Sequence, residues 1–375
     1  MAKFILNKKT TISQYNKLKE ISDDIVYSFK TNPEVGKVLE ENTNCKFAIH
    51  TLESLDKIKD KKRVWFFLQA INEEEIEFLI NKVYGFVIDN EADLLVLLNC
   101  LKDKKINLAL RMKLKEHTIH TGKHFVFGLS SSQINEYIPK LRNKTNLLGI
   151  HFHRKTQNVS EWNLKYELEE SLTKETLNLI DFINIGGGIP WNYRNYNVNV
   201  LPEVFNKIKE LKSWFKGKIF IEPGRFIAAP SVRLETEIKS IDNNNITIDC
   251  SIFNAAMDTF ILNVRLLIEN ELEEGTDYTI KGITPDSLDI FRYKVKLNNP
   301  KVKDKLIFLD AGAYNFSTDF CSLKKLETIV IFKNMIRVFQ AAKKNNQYDE
   351  FLHKIQQEKM KELWDNKEDE AWENV

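Results

Sequence analysis

Short apolar runs recur along the first two thirds of the chain, at residues 26–29, 46–49, 64–68, 85–88, 106–110, 147–152, 182–185 and 218–221. Runs this short and this uniformly apolar suit strands buried on both faces. Between most of them lie longer stretches, such as 72–83 and 130–142, in which apolar residues return at helical spacing. Strands alternating with helices over about 200 residues predict a (β/α)8 barrel. The interval between Ile49 and Val64 is short, so the helix there is expected to be trimmed.

After Pro230 the pattern changes. Residues 232–238, 246–252, 259–264, 278–280 and 305–308 read as strands, separated by turns such as Asp242-Asn243-Asn244-Asn245. Long helical stretches are absent from the pattern until about residue 322, which predicts a mainly β second domain. Residues 3–6 read as a further strand of it, ahead of a first helix at 12–21. The expected organisation is a strand in 1–10 joining the β domain, a barrel over 11–230, the β domain over 231–342 and a charged helical tail over 343–375. That tail carries Trp364 and Trp372 and reads as an appended surface helix.

Composition narrows the class. An apolar content of 43% supports a sizeable core, and a net charge of +2 gives no global field for nucleic acid. Lysine and glutamate are interspersed, as on solvated faces. The four cysteines, Cys45, Cys100, Cys250 and Cys321, form no CxxC pair and suit reduced thiols. The N-terminal apolar stretch is too short for a signal peptide, and no run approaches the ~18 residues of a membrane span. The expectation is a cytoplasmic protein.

The chemistry gathers where the apolar runs end. In a barrel the site lies at the C-terminal ends of the strands. The runs lead to Lys30, to His50-Thr51, to Arg111, to His153, to Gly186-Gly187-Gly188 and to Glu222-Pro223-Gly224-Arg225. A lysine at a strand end in partly apolar surroundings has a lowered pKa and a free amine able to form an imine. Three consecutive glycines let backbone N–H groups approach an anion, and Arg225 adds a charged partner. Glu222 is placed either to hold a pyridine nitrogen protonated or to form a structural salt bridge with Arg225. His151 and His153 alternate along one run and are expected to share a strand face, one of them free to stack on a planar ligand. A zinc reading of the pair lacks a third ligand nearby. His117, His120 and His124 also invite a metal reading, but their loop, with Thr121-Gly122, reads as polar connection.

With those residues in place the chain resembles the fold-type III pyridoxal-phosphate decarboxylases, the family of ornithine, diaminopimelate, arginine and carboxynorspermidine decarboxylases. Tyr27-Ser28-Phe29-Lys30-Thr31-Asn32 is similar to the family's Tyr-Ala-Val-Lys-Ala-Asn, and His153-Arg154-Lys155-Thr156 to its His-Val-Gly-Ser. The glycine triplet and Glu222-Pro223-Gly224-Arg225 match unchanged, Gly312-Ala313-Tyr314 matches the phosphate-site tyrosine, and residues 282–289 resemble Gly-Pro-Thr-Cys-Asp-Ser-x-Asp. The resemblance implies an alanine-racemase-like barrel holding pyridoxal 5'-phosphate. Lys30 would carry the cofactor, Glu222 face its ring nitrogen and His153 stack on its ring. Arg111, Thr156, Gly186, Gly187, Gly188, Gly224, Arg225 and Tyr314 would contact it. Asp286 and Asp289 would meet an amino-acid substrate across a homodimer with shared sites. Metal is not implied. Two departures stand out: Pro285 replaces the family cysteine, and Arg154-Lys155 replace Val-Gly. The first keeps open a second reading, a non-catalytic homologue that binds a partner.

Overall fold

The computed structural model describes residues 1–114, 126–196 and 198–332. Strand β1 (Lys3–Asn7) leads into a helix at Lys8–Lys19, which starts earlier than the expected 12–21. The reason is local: Asn7 Oδ1 accepts the Thr10 N–H and caps the helix. Strands β2 (Asp24–Ser28), β3 (Lys46–Ile49), β4 (Val64–Leu68), β5 (Gly85–Ile88), β6 (Ile106–Arg111), β7 (Thr145–His151), β8 (Phe182–Asn184) and β9 (Lys218–Ile221) then close a parallel barrel. The intervening helices begin where side-chain caps stand, with Asn72 before Glu73–Ile80 and Ser130 before Ser131–Leu141. The short 49–64 interval holds only the single helical turn Leu52–Leu55.

Strand periodicity builds two zones inside the barrel. Val26, Ala48, Trp65, Val87, Ala109, Phe182 and Phe220 form one buried apolar layer, with Phe182 and Phe220 stacked at 4.6 Å. Successive side chains of a strand alternate between faces, so the residue two positions on points into the same interior nearer the C-terminal mouth. Those positions are Ser28, His50, Phe67, Asp89, Arg111, Asn184 and Glu222. On β7 the corresponding sequence runs Leu147, Gly149, His151. The apolar layer is therefore the floor of a polar recess.

The second sheet combines β1 with β10 (Val232–Asp242), β11 (Asn245–Ile248), β12 (Leu267–Ile268), β13 (Asp277–Lys281), β14 (Ile290–Lys296), β15 (Lys305–Leu309) and β16 (Glu327–Ile331). β1 pairs antiparallel with β10 and parallel with β16. Buried aromatics line the sheet, Phe291 and Phe308 lying 5.1 Å apart in a core continuous with that around the barrel.

The expected strand at 259–264 is not one. Its first residues close the helical turn Met257–Ile261, which follows a turn at Ile252–Ala255 started by a capping box between Ser251 and Asn254. A short apolar run cannot separate a strand from a helix by its period. The same cap stops the expected 246–252 strand at Ile248. Strands β12, β14 and β16 lay outside the sequence reading. The tail at 343–375 and the loop with His117, His120 and His124 lie outside the described residues. Cys45, Cys100 and Cys250 are buried, Cys321 is exposed, and all are unpaired. Among the described residues no helix is long and apolar enough to cross a membrane.

Candidate active site

Lys30 sits in the tight helical turn Phe29–Thr31 that ends β2. That turn is fastened on both sides. Asn32 caps the helix Pro33–Asn42 and donates from Nδ2 to Gly312 O at 2.9 Å, while Tyr27 Oη donates to Asn32 O at 3.1 Å. The Tyr314 N–H donates to Thr31 O at 3.0 Å, so the second sheet's 312–314 loop is tied directly to the lysine turn. Tyr314 itself adopts φ +53°, a left-handed backbone held by this contact.

Across the recess Glu222 is buried at 5% exposure. Burial alone would raise its pKa, but His151 and His153 beside it, with hydrogen bonds from His151 and Asn184, hold it down to about 2. Asn184 Nδ2 donates to Oε1 at 2.8 Å, and His151 Nε2 lies 3.3 Å from Oε2. Strand register sets Arg111, His151 and Asn184 level with one another on β6, β7 and β8. Arg111 is held by Asp89 at 2.7 Å.

Lys30, His50 and His153 are exposed, as walls of an open recess are, yet the surrounding protein still withdraws water from them. Loss of solvent lowers the Lys30 pKa, opposed by Glu222 and assisted by Arg111. Desolvation likewise pushes His50 and His153 down to about 4, so both imidazoles are neutral at pH 7. His50 stacks on Phe67 with centroids 4.6 Å apart, and Phe67 meets His151 edge-on at 5.2 Å.

The glycine triplet is backbone-driven. Gly186 and Gly188 have φ of +67° and +104°, and a Cβ on Gly186 would lie 2.2 Å from Phe152 O. The Gly187 N–H donates to His153 Nδ1 at 3.2 Å. Gly224 precedes the short helix Arg225–Ser231, and Arg225 Nε donates to Thr156 Oγ1 at 3.2 Å.

Several expectations change. Strand β7 ends at His151, so His151 and His153 do not share a strand face; His153 stands in the loop beyond, turned onto Gly187. Their ligand atoms nevertheless converge with those of Glu222 within 4.8 Å, supplying the third group that the pair lacked in sequence. Glu222 and Arg225 do not pair with each other: His151 and Asn184 hold Glu222, and Asp258 holds Arg225. Arg154 is buried and paired with Glu167, so its charge is consumed locally. Asp289 is no open substrate contact. It is 1% exposed, Oδ1 accepts Ile252 N, and Oδ2 accepts both the N–H and the hydroxyl of Thr284. Asp286 caps its own turn at Leu288 N (2.8 Å), on an arm where Ile283 and Leu288 are exposed. Asp89, Phe67 and Asn184 were missed; counting two residues beyond each apolar-layer position finds all three. Asp258 and Tyr193 had no such signal.

The recess fits pyridoxal phosphate. It sets an amine of lowered pKa against an ionised buried carboxylate and adds a glycine-lined loop with Arg225, Thr156 and Tyr314. Two buried polar atoms facing this region, His151 Nδ1 and Thr31 Oγ1, have no hydrogen-bond partner among the described residues. Fold and site together define a barrel protein of the cofactor-binding class, its chemistry at the C-terminal mouth. The family described as pyridoxal-dependent decarboxylase, pyridoxal binding domain, matches residues 13–229, and the chain belongs to it.

Diaminopimelate decarboxylase from Buchnera aphidicola is 26% identical over 235 residues, covering 54% of this chain and 56% of that relative. The chain thus spans about half the length of the curated relatives it matches. In fold it is similar to diaminopimelate decarboxylase from Helicobacter pylori complexed with L-lysine, with a TM-score of 0.77, 18% identity and coverage of 90% and 93% of the two chains. It is also similar to lysine/ornithine decarboxylase from Vibrio vulnificus complexed with cadaverine, with a TM-score of 0.74, 20% identity and coverage of 89% and 95%.

Proposed function

We propose that this chain decarboxylates a basic amino acid, with pyridoxal phosphate held at the barrel mouth. The observation that carries the reading is Lys30, an amine of lowered pKa, sharing one recess with the buried, ionised Glu222. Bound pyridoxal phosphate supplies an electron sink for the bonding pair left when CO2 departs. Lys30 Nζ carries the cofactor, and its depressed pKa raises the share of free amine available to do so. Glu222 keeps a proton on the ring nitrogen, while His151 and Asn184 hold its two oxygens in place. His153, pinned by Gly187, would help hold the ring. Gly186, Gly187, Gly188, Gly224, Thr156, Arg225 and Tyr314 surround the phosphate, and Arg111, steadied by Asp89, adds positive charge beside Lys30.

Substrate choice rests on Asp286, whose exposed arm is suited to reach a second copy of the chain and face a substrate ammonium. The names of the relatives support the basic amino-acid class, and the exposed apolar arm supports a two-fold homodimer with shared sites. The test is CO2 release by the cofactor-loaded chain from ornithine, lysine, arginine, diaminopimelate and carboxynorspermidine, beside Lys30→Ala. Release from one substrate, lost in the variant, supports the reading. Equal release with and without the lysine removes it, and a fully active monomer removes the shared site.

A further inference from the structure

Arg225 is engaged by the protein on three sides. Its Nε–H goes to Thr156 Oγ1 at 3.2 Å, and Nη1 donates to Tyr193 Oη at 2.8 Å and to Asp258 Oδ2. Nη2 donates to Asp258 Oδ1 at 3.1 Å. A guanidinium has five N–H bonds, and these four contacts leave one, on Nη2. Its guanidinium carbon also lies 5.5 Å from the ring centroid of Tyr193 and 5.2 Å from that of Tyr314. Arg225, Asp258 and Tyr193 are 3%, 5% and 4% exposed.

The partners come from different parts of the chain and are themselves joined. Tyr193 belongs to the loop that follows the glycine triplet. Asp258 belongs to the helical turn Met257–Ile261, between β11 and β12 in the chain. Four contacts strap the two segments together. Arg194 N–H donates to Arg265 O at 2.9 Å and Arg265 N–H to Asn195 Oδ1 at 2.9 Å. Asn195 Nδ2 donates to Asn263 O at 2.7 Å, and Tyr196 Oη to Leu262 O at 3.2 Å.

A buried Arg–carboxylate pair with two parallel hydrogen bonds fixes the guanidinium plane and also neutralises its charge. The group meeting a ligand here is then a directed donor, not a free cation. We infer that Asp258, assisted by Tyr193, is a positioning residue for a phosphate monoester: it holds Arg225 in the one orientation that presents its remaining N–H to the ligand. The segment between β11 and β12 thereby sets how tightly the barrel retains its cofactor. This rests on the reading of Arg225 as a phosphate contact.

The experiment compares two ligands that differ only in the phosphate. The full chain, freed of cofactor, is titrated with pyridoxal phosphate and with pyridoxal, read by absorbance of the bound chromophore. Asp258→Asn is expected to weaken pyridoxal phosphate about tenfold and pyridoxal by less than about twofold, the loss of one oriented charged hydrogen bond. Asp258→Glu recovers part of the loss, and Tyr193→Phe gives a smaller shift in the same direction. Equal weakening of both ligands would show that Asp258 serves the fold alone and overturns the inference. Unchanged or tighter binding of the phosphorylated ligand overturns it as well, because Arg225 would then act better as a free cation. Arg225→Gln separates the two levels. If it fails to distinguish the ligands, the phosphate-site reading falls; if it distinguishes them while Asp258→Asn does not, only the positioning role falls.

Discussion

The barrel and the second sheet are built from similar apolar strands, yet they present their chemistry in different ways. In the barrel every strand is buried on both faces and runs parallel to its neighbours, so one rule serves them all. An apolar residue fills the floor, and two positions later a polar one reaches the mouth. His50, Asp89, Arg111, Asn184 and Glu222 all follow from that alternation, and Lys30 stands in the helical turn just past β2. In the second sheet the strands run in both directions, and its contributions come from loops and a helical turn. Tyr314 arrives on a left-handed turn tied to Thr31, and Asp258 on Met257–Ile261. Repetition makes a site readable, whereas contacts made once, between distant segments, do not announce themselves.

The comparison breaks most sharply at Lys30. Lys30→Ala is expected to lower CO2 release by on the order of 10³-fold or more, since it removes the amine of lowered pKa that would carry the cofactor. Single-turnover assays with saturating cofactor check this. Next come two buried aromatics. Trp65→Ala in the barrel layer and Phe308→Ala in the second sheet should each destabilise the fold by about 3–5 kcal/mol, as loss of a buried aromatic does. Urea denaturation measures both. The barrel change should also weaken cofactor binding, because Trp65 lies directly beneath Phe67 in the recess wall; equal effects on binding would erase the distinction between floor and remote core.

Glu222→Gln should reduce turnover about 10²-fold while leaving the lysine-dependent absorbance of bound cofactor in place, because it removes a charge and not the attachment point. The smallest effect is on stability against pH. Glu222 falls from 4.5 to about 2 in the folded chain, so its contribution is present above pH 4.5 and lost as pH falls toward 2. His50 and His153 fall from 6.5 to about 4, so the unfolded chain binds more protons between those values and stability declines across pH 6.5 to 4. Urea midpoints should therefore drop on acidification in two stages. Glu222→Gln should flatten the lower stage, and a Phe replacement at His50 should shallow the upper one.

Much of this was legible in residue order alone. Alternating apolar runs and amphipathic stretches determined the barrel, because a strand buried on both faces and a helix buried on one leave different periods. The residues at the ends of those runs determined most of the candidate site, because a barrel exposes only one end of its strands to a ligand. Tertiary structure decided which charges meet. Nothing in the order of residues said that Glu222 would choose His151 and Asn184 over Arg225, or that Arg154 would turn to Glu167. Nor could it say that the run 259–264 would begin in a helical turn, one that places Asp258 against Arg225, 33 residues back along the chain. Ion-pair partners are selected by distance and burial, which exist only once the chain has folded, whereas periodicity is a property of the chain itself.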